Sequence, residues 1–525
     1  MRAAWVITAA TVAAVLCLTI LLMPSAAPFS GDNGLRLWSA SSGPGAPLDR
    51  AVPPGMDPAG FPPSLTRAGR HGLFPAYGTL LPAAVSLGGL LNSPLVWRLL
   101  VAAASLLAIP LLSALSGGDP RAGPVCFLAA GLLPYSLLFW EHGPAVTLFL
   151  LAALLLLRAV GSPSAAPWWL AAAALACRLR PELAPAAAAL LAVALIRGRA
   201  LPGAGRTLLW ALAALGAAGL GALVYPEQVM GGQVLANLPA GPADLLASRL
   251  EVLTAWTAGG TLPVSAAVLL WAASSLALLT GRGGPRLRRG LLAAGLAGSG
   301  VLLYPVARNS AGTMSLLTLA PAALLLPAAA WRARGKGRTL LTAGMLGGGL
   351  VALLAPTHGM FQFGPRFLLG PLTLAAAGGC LGLRALKGRN RRSAAALAAL
   401  LLGLLGTTRG ALFCGYFRVS HSRLQRSVES VCFDAVCTDQ EWLPLVCWPQ
   451  AETLPILVTD RTEAERLASG GLELVWLSPS TELAGRVGAR GYRGMRYSLP
   501  EGSGAELPPP VPGDITPSPP PLALR

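Results

Sequence analysis

Lysine is almost missing from this 525-residue chain, which carries only Lys336 and Lys387. Acids are scarce too: Asp and Glu total 22 against 40 Lys plus Arg, and charged residues make up 12%. No Cys-x-x-Cys pair and no His-x-x-x-His pair occurs, so no zinc-ligand spacing is legible. Strict apolar–polar alternation is also lacking, which excludes an outer-membrane barrel. The formal charge of +18 raises the question of nucleic acid. A long basic face is absent, however. The arginines stand in short clusters between apolar runs, the pattern of the positive-inside bias, and no nucleic-acid partner is expected.

Apolar sequence is what the chain has in excess. Hydrophobic residues make up 54%, and the mean hydropathy is +0.61. Runs of about 17–22 apolar residues recur, long enough to cross a hydrocarbon core of about 30 Å. Helices satisfy their own backbone in lipid, so the expected fold is an all-α polytopic membrane protein with about 13 transmembrane helices. The spans are expected at Ala3–Met23, Pro94–Leu115, Val125–Trp140, Pro144–Val160, Pro167–Ala176, Glu182–Ile196, Thr207–Tyr225, Thr261–Thr280, Gly290–Ala307, Met314–Trp331, Thr339–Ala355, Phe367–Leu383 and Ala394–Phe413. The first reads as an uncleaved signal anchor, although Ser25-Ala26-Ala27 resembles a cleavage site. Leu73–Leu91 is apolar but interrupted by Pro75, Gly78 and Pro82, and reads as a juxtamembrane segment.

Basic clusters set the orientation. With the N-terminus cytoplasmic, inner loops include Arg197/Arg199/Arg206, Arg282/Arg286/Arg288/Arg289, Arg332/Arg334/Lys336/Arg338 and Arg384/Lys387/Arg389/Arg391/Arg392. In the N-terminal half only Arg121 and Arg158 serve this purpose. The heavy use of Ala, Gly and Arg points to GC-rich coding, and hence to a bacterial inner membrane.

The expected domains are a transmembrane domain over 1–413, with a first outer loop at 24–72 and a juxtamembrane segment at 73–91. A small α/β extracytoplasmic module follows over 414–500, then a Pro-rich disordered tail over 501–525. A second outer segment, Pro226–Gly260, includes a short amphipathic pattern at Ala243–Leu253. In the module, Leu454–Thr459, Leu472–Leu477 and Tyr492–Tyr497 read as strands, and Glu463–Ala468 and Glu482–Gly488 as helices. Cys414, Cys432, Cys437 and Cys447 lie in this part, with disulfides, free thiols and a metal all open.

Polar groups beside the spans are few enough to single out. Asp32 and Arg36 follow the first span, in a stretch that also holds His71; an interfacial ion pair is the plain alternative to catalysis. Trp38 reads as an aromatic-belt anchor. Phe139-Trp140-Glu141-His142 lies between two apolar stretches, and Glu141 with His142 is competent to ligate a divalent ion. Arg178-Leu179-Arg180-Pro181-Glu182 interrupts an apolar run, where charge is costly. Its members either pair with one another or turn Arg180 toward a phosphate, and Pro181 breaks the helix. Gln362 and Arg366 flank the Gly364-Pro365 turn before a late span.

In this order the motifs resemble the GT-C superfamily of integral-membrane glycosyltransferases, which includes protein O-mannosyltransferases and aminoarabinose transferases. The resemblance covers Met1 to Phe413. It rests on Gly31-Asp32 with Arg36, on Tyr135-Ser136 leading to Phe139-Trp140-Glu141-His142, on Arg180-Pro181-Glu182, and on Gln362-Phe363-Gly364-Pro365-Arg366. It implies Asp32 as catalytic base and Glu141 as a second acid holding a divalent ion (Mg or Mn) or the acceptor. It implies Arg366, Arg180 and Gln362 on the donor phosphate, with Arg36, His71 and Glu182 in support. Asn33 stands where many members have a second acid, and Glu141-His142 replaces a lone Asp. The implied partners are membrane lipid, a polyprenyl-phosphate sugar donor, and a glycolipid, polysaccharide or protein acceptor. A polytopic transporter or flippase is the rival reading, although no repeat of comparable halves is visible.

Overall fold

The computed structural model describes residues 2–22, 31–43, 46–57, 60–63, 66–69, 72–75, 93–197, 205, 262–308, 316–354, 366–429, 434–479, 492–497 and 513–514. In chain order these form α1 (Arg2–Leu22), α2 (Gly31–Ser42), the hairpin β1 (Thr66–Gly69) and β2 (Gly72–Pro75), α3 (Pro94–Leu106), α4 (Ala108–Leu115), α5 (Ala122–Ala129), α6 (Leu132–Leu137), α7 (His142–Ala159), α8 (Ala166–Leu179) and α9 (Leu183–Arg197). After a gap come α10 (Leu262–Thr280), α11 (Pro285–Arg308), α12 (Leu316–Leu319), α13 (Leu326–Arg332), α14 (Gly335–Leu354), α15 (Leu369–Arg384) and α16 (Arg389–Glu429). The remainder is β3 (Ala435–Thr438), α17 (Leu443–Val446), α18 (Trp448–Ala451), β4 (Ile456–Val458), α19 (Arg461–Ser469), β5 (Leu474–Pro479), β6 (Tyr492–Tyr497) and β7 (Gly513–Asp514).

The described chain is mostly helical. Five stretches are long and apolar enough to cross a membrane: Pro94–Leu115, His142–Ala159, Pro263–Thr280, Arg366–Arg384 and Arg389–Arg426. Thr8–Leu21, Ala166–Leu179 and Leu183–Arg197 are shorter apolar helices. Three expected spans are not single helices. Val125–Trp140 divides into α5 and α6 at Gly131, whose φ of 68° is open to glycine and strained for other residues. Met314–Trp331 divides at Ala320, which takes φ −127° and ψ 58° ahead of Pro321. Pro94–Leu115 is split at Leu107, because Pro110 has no N–H for the carbonyl of Leu106. Thr207–Tyr225, Ala243–Leu253 and the part of Leu73–Leu91 beyond Pro75 lie outside the described residues.

The chain forms two compact units. The first comprises Met1–Leu18, Leu100–Leu137 and Glu141–Leu412. Its helices pack through small residues. A Cβ at Gly344 would stand 2.8 Å from the carbonyl of Pro371, and one at Gly378 would stand 2.7 Å from the amide of Leu341. Such contacts let backbones approach where lipid supplies no hydrophobic drive between helices. One end of this unit is basic. Lys336 Nζ donates to the carbonyl of Ala114 at 3.0 Å, and Arg384 Nη1 donates to that of Ser116 at 3.2 Å. Arg288 Nη2 donates to the carbonyl of Trp331 at 3.1 Å, and Arg338 donates to that of Leu279. Arg158 is within electrostatic reach of Lys336, and Arg197 within reach of Arg338. The arginines of separate loops thus gather at one end. Helices α7 and α9 run toward that end, as does α15.

The second unit comprises Thr19–Leu99, Leu138–Trp140 and Phe413–Arg525. The expected boundary at residue 413 falls inside α16, a continuous helix of 41 residues. At 1.5 Å per residue it is about 60 Å long, well beyond a bilayer core. A five-stranded sheet of order β4-β3-β5-β6-β7 follows. The β3–β4 and β3–β5 pairs are parallel, while β5–β6 and β6–β7 are antiparallel. The strands near 456, 474 and 492 were legible in the sequence; β3 was not. Gly513–Asp514, read as part of a disordered tail, pairs with Arg493 and Gly494. The expected helix Glu482–Gly488 lies outside the described residues. Helix α19 is capped by Asp460, whose carboxylate accepts from the Glu463 amide at 2.8 Å.

The stretch expected as an outer loop is partly ordered into this unit. Met56 and Phe61 pack on a core of Ala435, Cys437, Leu457, Ala464 and Leu467. The Ala51 amide donates to the carbonyl of Ala451 at 2.8 Å. Trp38 is fully buried and its indole N–H donates to the carbonyl of Asp49 at 2.7 Å, which corrects its reading as an aromatic-belt anchor. Cys414, Cys437 and Cys447 are buried free thiols; Cys432 lies outside the described residues.

Candidate functional site

The end of the first unit opposite its basic end carries the polar residues that the sequence singled out. Helix α8 stops at Leu179, and Arg180 takes an extended conformation (φ −142°, ψ 95°) ahead of Pro181. That is the conformation the proline ring imposes on its predecessor. The connection to α9 is short: the Leu183 amide donates to the carbonyl of Arg180 at 3.0 Å. In this turn Arg180 pairs with Glu182, with both Nε and Nη2 2.5 Å from Oε1. Their side chains are 13% and 16% exposed, so the pair is largely withdrawn from water. The contact engages one edge of the guanidinium fork and leaves its Nη1 edge outside the pair.

Helix α7 delivers the neighbouring groups. Glu141 takes its N-cap position and is 3% exposed; His142, its first residue, is 2% exposed. His142 Nε2 lies 4.0 Å from Glu182 Oε1. The Tyr135 ring stands 5.5 Å from the imidazole, centroid to centroid. Gly143 seats this helix start against Ser105: a Cβ there would come within 2.8 Å of Ser105 Cβ, and closer to its hydroxyl. One turn on, the Thr147 hydroxyl donates to the Gly143 carbonyl at 3.1 Å. The structure thus joins His142, Arg180 and Glu182 in one cluster, with Glu141 adjoining.

Arg366 opens the 3₁₀ turn that leads into α15, and its guanidinium lies over the Phe367 ring at 5.5 Å. One turn later Gly370 abuts Leu183 and Phe149. Leu183 follows Glu182 directly, so α15 starts at the level of the Arg180–Glu182 turn.

Asp32 is the second residue of α2, and its side chain lies outside the described residues, as do Gln362 and His71. Arg36 stands one turn after Asp32, is 6% exposed, and belongs to the second unit. That unit also holds a residue the sequence reading passed over. Arg98 is fully buried in α3 and within electrostatic reach of Arg418. A lone arginine in the first turns of an apolar helix was the available signal. On α16, Phe417 and His421 lie 5.7 Å apart, and His421 lies 6.2 Å from Trp442.

Among the described residues, no group of three or more His, Cys, Asp or Glu is placed to hold a metal ion. The cluster presents one imidazole and one carboxylate engaged by a guanidinium, with the buried Glu141 next in sequence to His142. No protein-family model and no curated protein sequence matches the chain.

Proposed function

We propose that this protein is an integral-membrane glycosyltransferase. It moves a sugar from a polyprenyl-phosphate-linked donor to a hydroxyl acceptor on the extracytoplasmic face of a bacterial inner membrane. One observation carries the reading: Arg180, Glu182 and His142 converge at the end of the helical unit opposite its basic end. Basic loops favour the cytoplasmic side. The polar cluster then belongs to the opposite face, where a lipid-linked donor presents its sugar-phosphate. The resemblance to GT-C enzymes supplies the reaction class.

The chemistry follows from these residue types. Asp32 takes the proton of the acceptor hydroxyl, general base catalysis worth about 10²–10⁴ in rate. The freed oxygen attacks the anomeric carbon, and the carbon–oxygen bond to the lipid phosphate breaks. Arg366 and Arg180, with Gln362, hold the departing phosphate, because a guanidinium fork matches phosphate oxygens. Glu182 fixes the orientation of Arg180, and Glu141 orients the acceptor. Inversion at the anomeric carbon follows from a single displacement without a covalent nucleophile. The C-terminal sheet region then belongs to the extracytoplasmic side, with residues 414–500 as a soluble module.

The test is transfer from a labelled lipid-linked sugar in membranes containing the full chain or its Asp32→Asn form. A fall of about 10²-fold or more, with wild-type expression and folding, is expected. Undiminished transfer by the variant removes Asp32 from the role. Movement of the labelled lipid between leaflets without any glycosidic product would favour a flippase instead.

A further inference from the structure

We infer that the basic end of the first unit holds an anionic phospholipid of the adjoining leaflet, in a cavity between α5, α13, α15 and α16. The cavity measures about 300 Å³. Its walls are apolar, with Val125, Ala129, Leu326, Leu372 and Leu383 among them. Its charged lining residues are Asp119 and Arg121 just before α5, Arg384 at the end of α15 and Arg392 in the first turn of α16, which sets the charge at one end of the cavity. These groups are not equivalent. Arg384 is already committed: its Nη2 lies 2.6 Å from Asp119, and its Nη1 donates to the carbonyl of Ser116. Asp119 is thereby neutralised. Arg121 and Arg392 are exposed, and neither has an ion-pair partner among the described residues.

An apolar chamber with surplus positive charge at its entrance is complementary to an amphiphile with an anionic head. A basic pocket between membrane helices on the side of the basic loops is where phospholipid headgroups bind. A phosphodiester offers two oxygens to the Arg121 and Arg392 forks, while an acyl chain fills the chamber. A soluble anion would gain the charge but leave the apolar walls empty. This site lies at the opposite end from the Arg180–Glu182 cluster, so it is distinct from the proposed donor site and stands without it.

The test uses the full chain in phosphatidylcholine nanodiscs containing a minor share of phosphatidylglycerol, read by native mass spectrometry and by thermal unfolding. The wild-type protein is expected to retain phosphatidylglycerol in preference to phosphatidylcholine and to be stabilised by it. Arg121→Ala with Arg392→Ala is expected to weaken retention about tenfold or more. Arg282→Ala with Arg286→Ala removes equal charge from exposed positions off the cavity and is expected to change it less than about twofold. Ala396→Trp narrows the mouth without altering charge, and is expected to reduce retention as the arginine pair does. Equal retention of phosphatidylcholine, equal loss in the Arg282/Arg286 variant, full retention in the Trp variant, or displacement by millimolar inorganic phosphate would each overturn the assignment.

Discussion

Glu182 sits between two partners: its Oε1 is 2.5 Å from the Arg180 guanidinium and 4.0 Å from Nε2 of His142. One carboxylate thereby pairs within the α8–α9 turn and lies beside the start of α7. Removing one member of a largely buried pair leaves the other charge uncompensated, typically at about 3–5 kcal/mol. Arg180→Ala and Glu182→Ala are each expected to lower the unfolding temperature clearly. The double variant is expected to lose less than the two combined, with a coupling of about 1–3 kcal/mol. A thermal double-mutant cycle on the full chain measures it. Strict additivity would mean that the pair is not a working contact.

The seat of His142 depends on a glycine. Gly143→Ala adds a methyl that meets Ser105 Cβ at 2.8 Å, below any ordinary carbon contact. Overpacking of this kind costs about 1–3 kcal/mol. The expected result is a destabilised protein in which α7 is pushed away from Ser105. Ser105→Gly removes both clashing atoms, so Gly143→Ala combined with Ser105→Gly is expected to recover most of the loss. Failure of that rescue in thermal unfolding would place the cost elsewhere.

These two contacts show what was legible in the sequence. The break at Arg180–Pro181 was, because a proline dictates the conformation of the residue before it. The gathering of arginines at one end was implied by their clustering between apolar runs. The divisions at Leu107, Gly131 and Ala320 were not. Average hydropathy is blind to a single glycine or proline inside an apolar run. Arg98 was overlooked for the same reason, since one charge barely alters such an average. Trp38 was misread because its indole finds a carbonyl eleven residues on, in Asp49. Strand β3 was missed since its four residues, Ala435–Thr438, are too few to show a period.

Acid should reveal a carboxylate of the second unit. Glu452 is held above its ordinary value, chiefly by burial and further by the nearby Asp49; the hydrogen bond from Ser41, at 3.2 Å, opposes this. A raised carboxylate binds its proton more tightly in the folded chain than in the unfolded one. Its contribution therefore favours folding below the ordinary carboxylate value of 4.5 and is lost as pH rises through the raised one. Glu452→Gln is expected to be more stable than the wild type at neutral pH, with the advantage shrinking as pH falls through that window. Thermal unfolding of both proteins across the acid range checks this. An advantage that grows on acidification would reverse the sign and discard the burial argument.

Two thiols in the first unit are expected to behave as a pair. Cys126 and Cys380 lie within electrostatic reach of each other, and the Cys126 thiol also reaches the Ala376 carbonyl at 3.5 Å. Both line the cavity between α5, α13, α15 and α16. A trivalent arsenical such as phenylarsine oxide takes two thiols at once and holds a lone thiol weakly. Treatment of the full chain is expected to protect two thiols together from a later maleimide. Cys126→Ser should lose that protection for Cys380, and Cys380→Ser for Cys126. Peptide mapping after labelling reads each site separately. Protection of Cys380 that persists without Cys126 would show that the arsenical is held by another partner and that the two sulfurs do not act together.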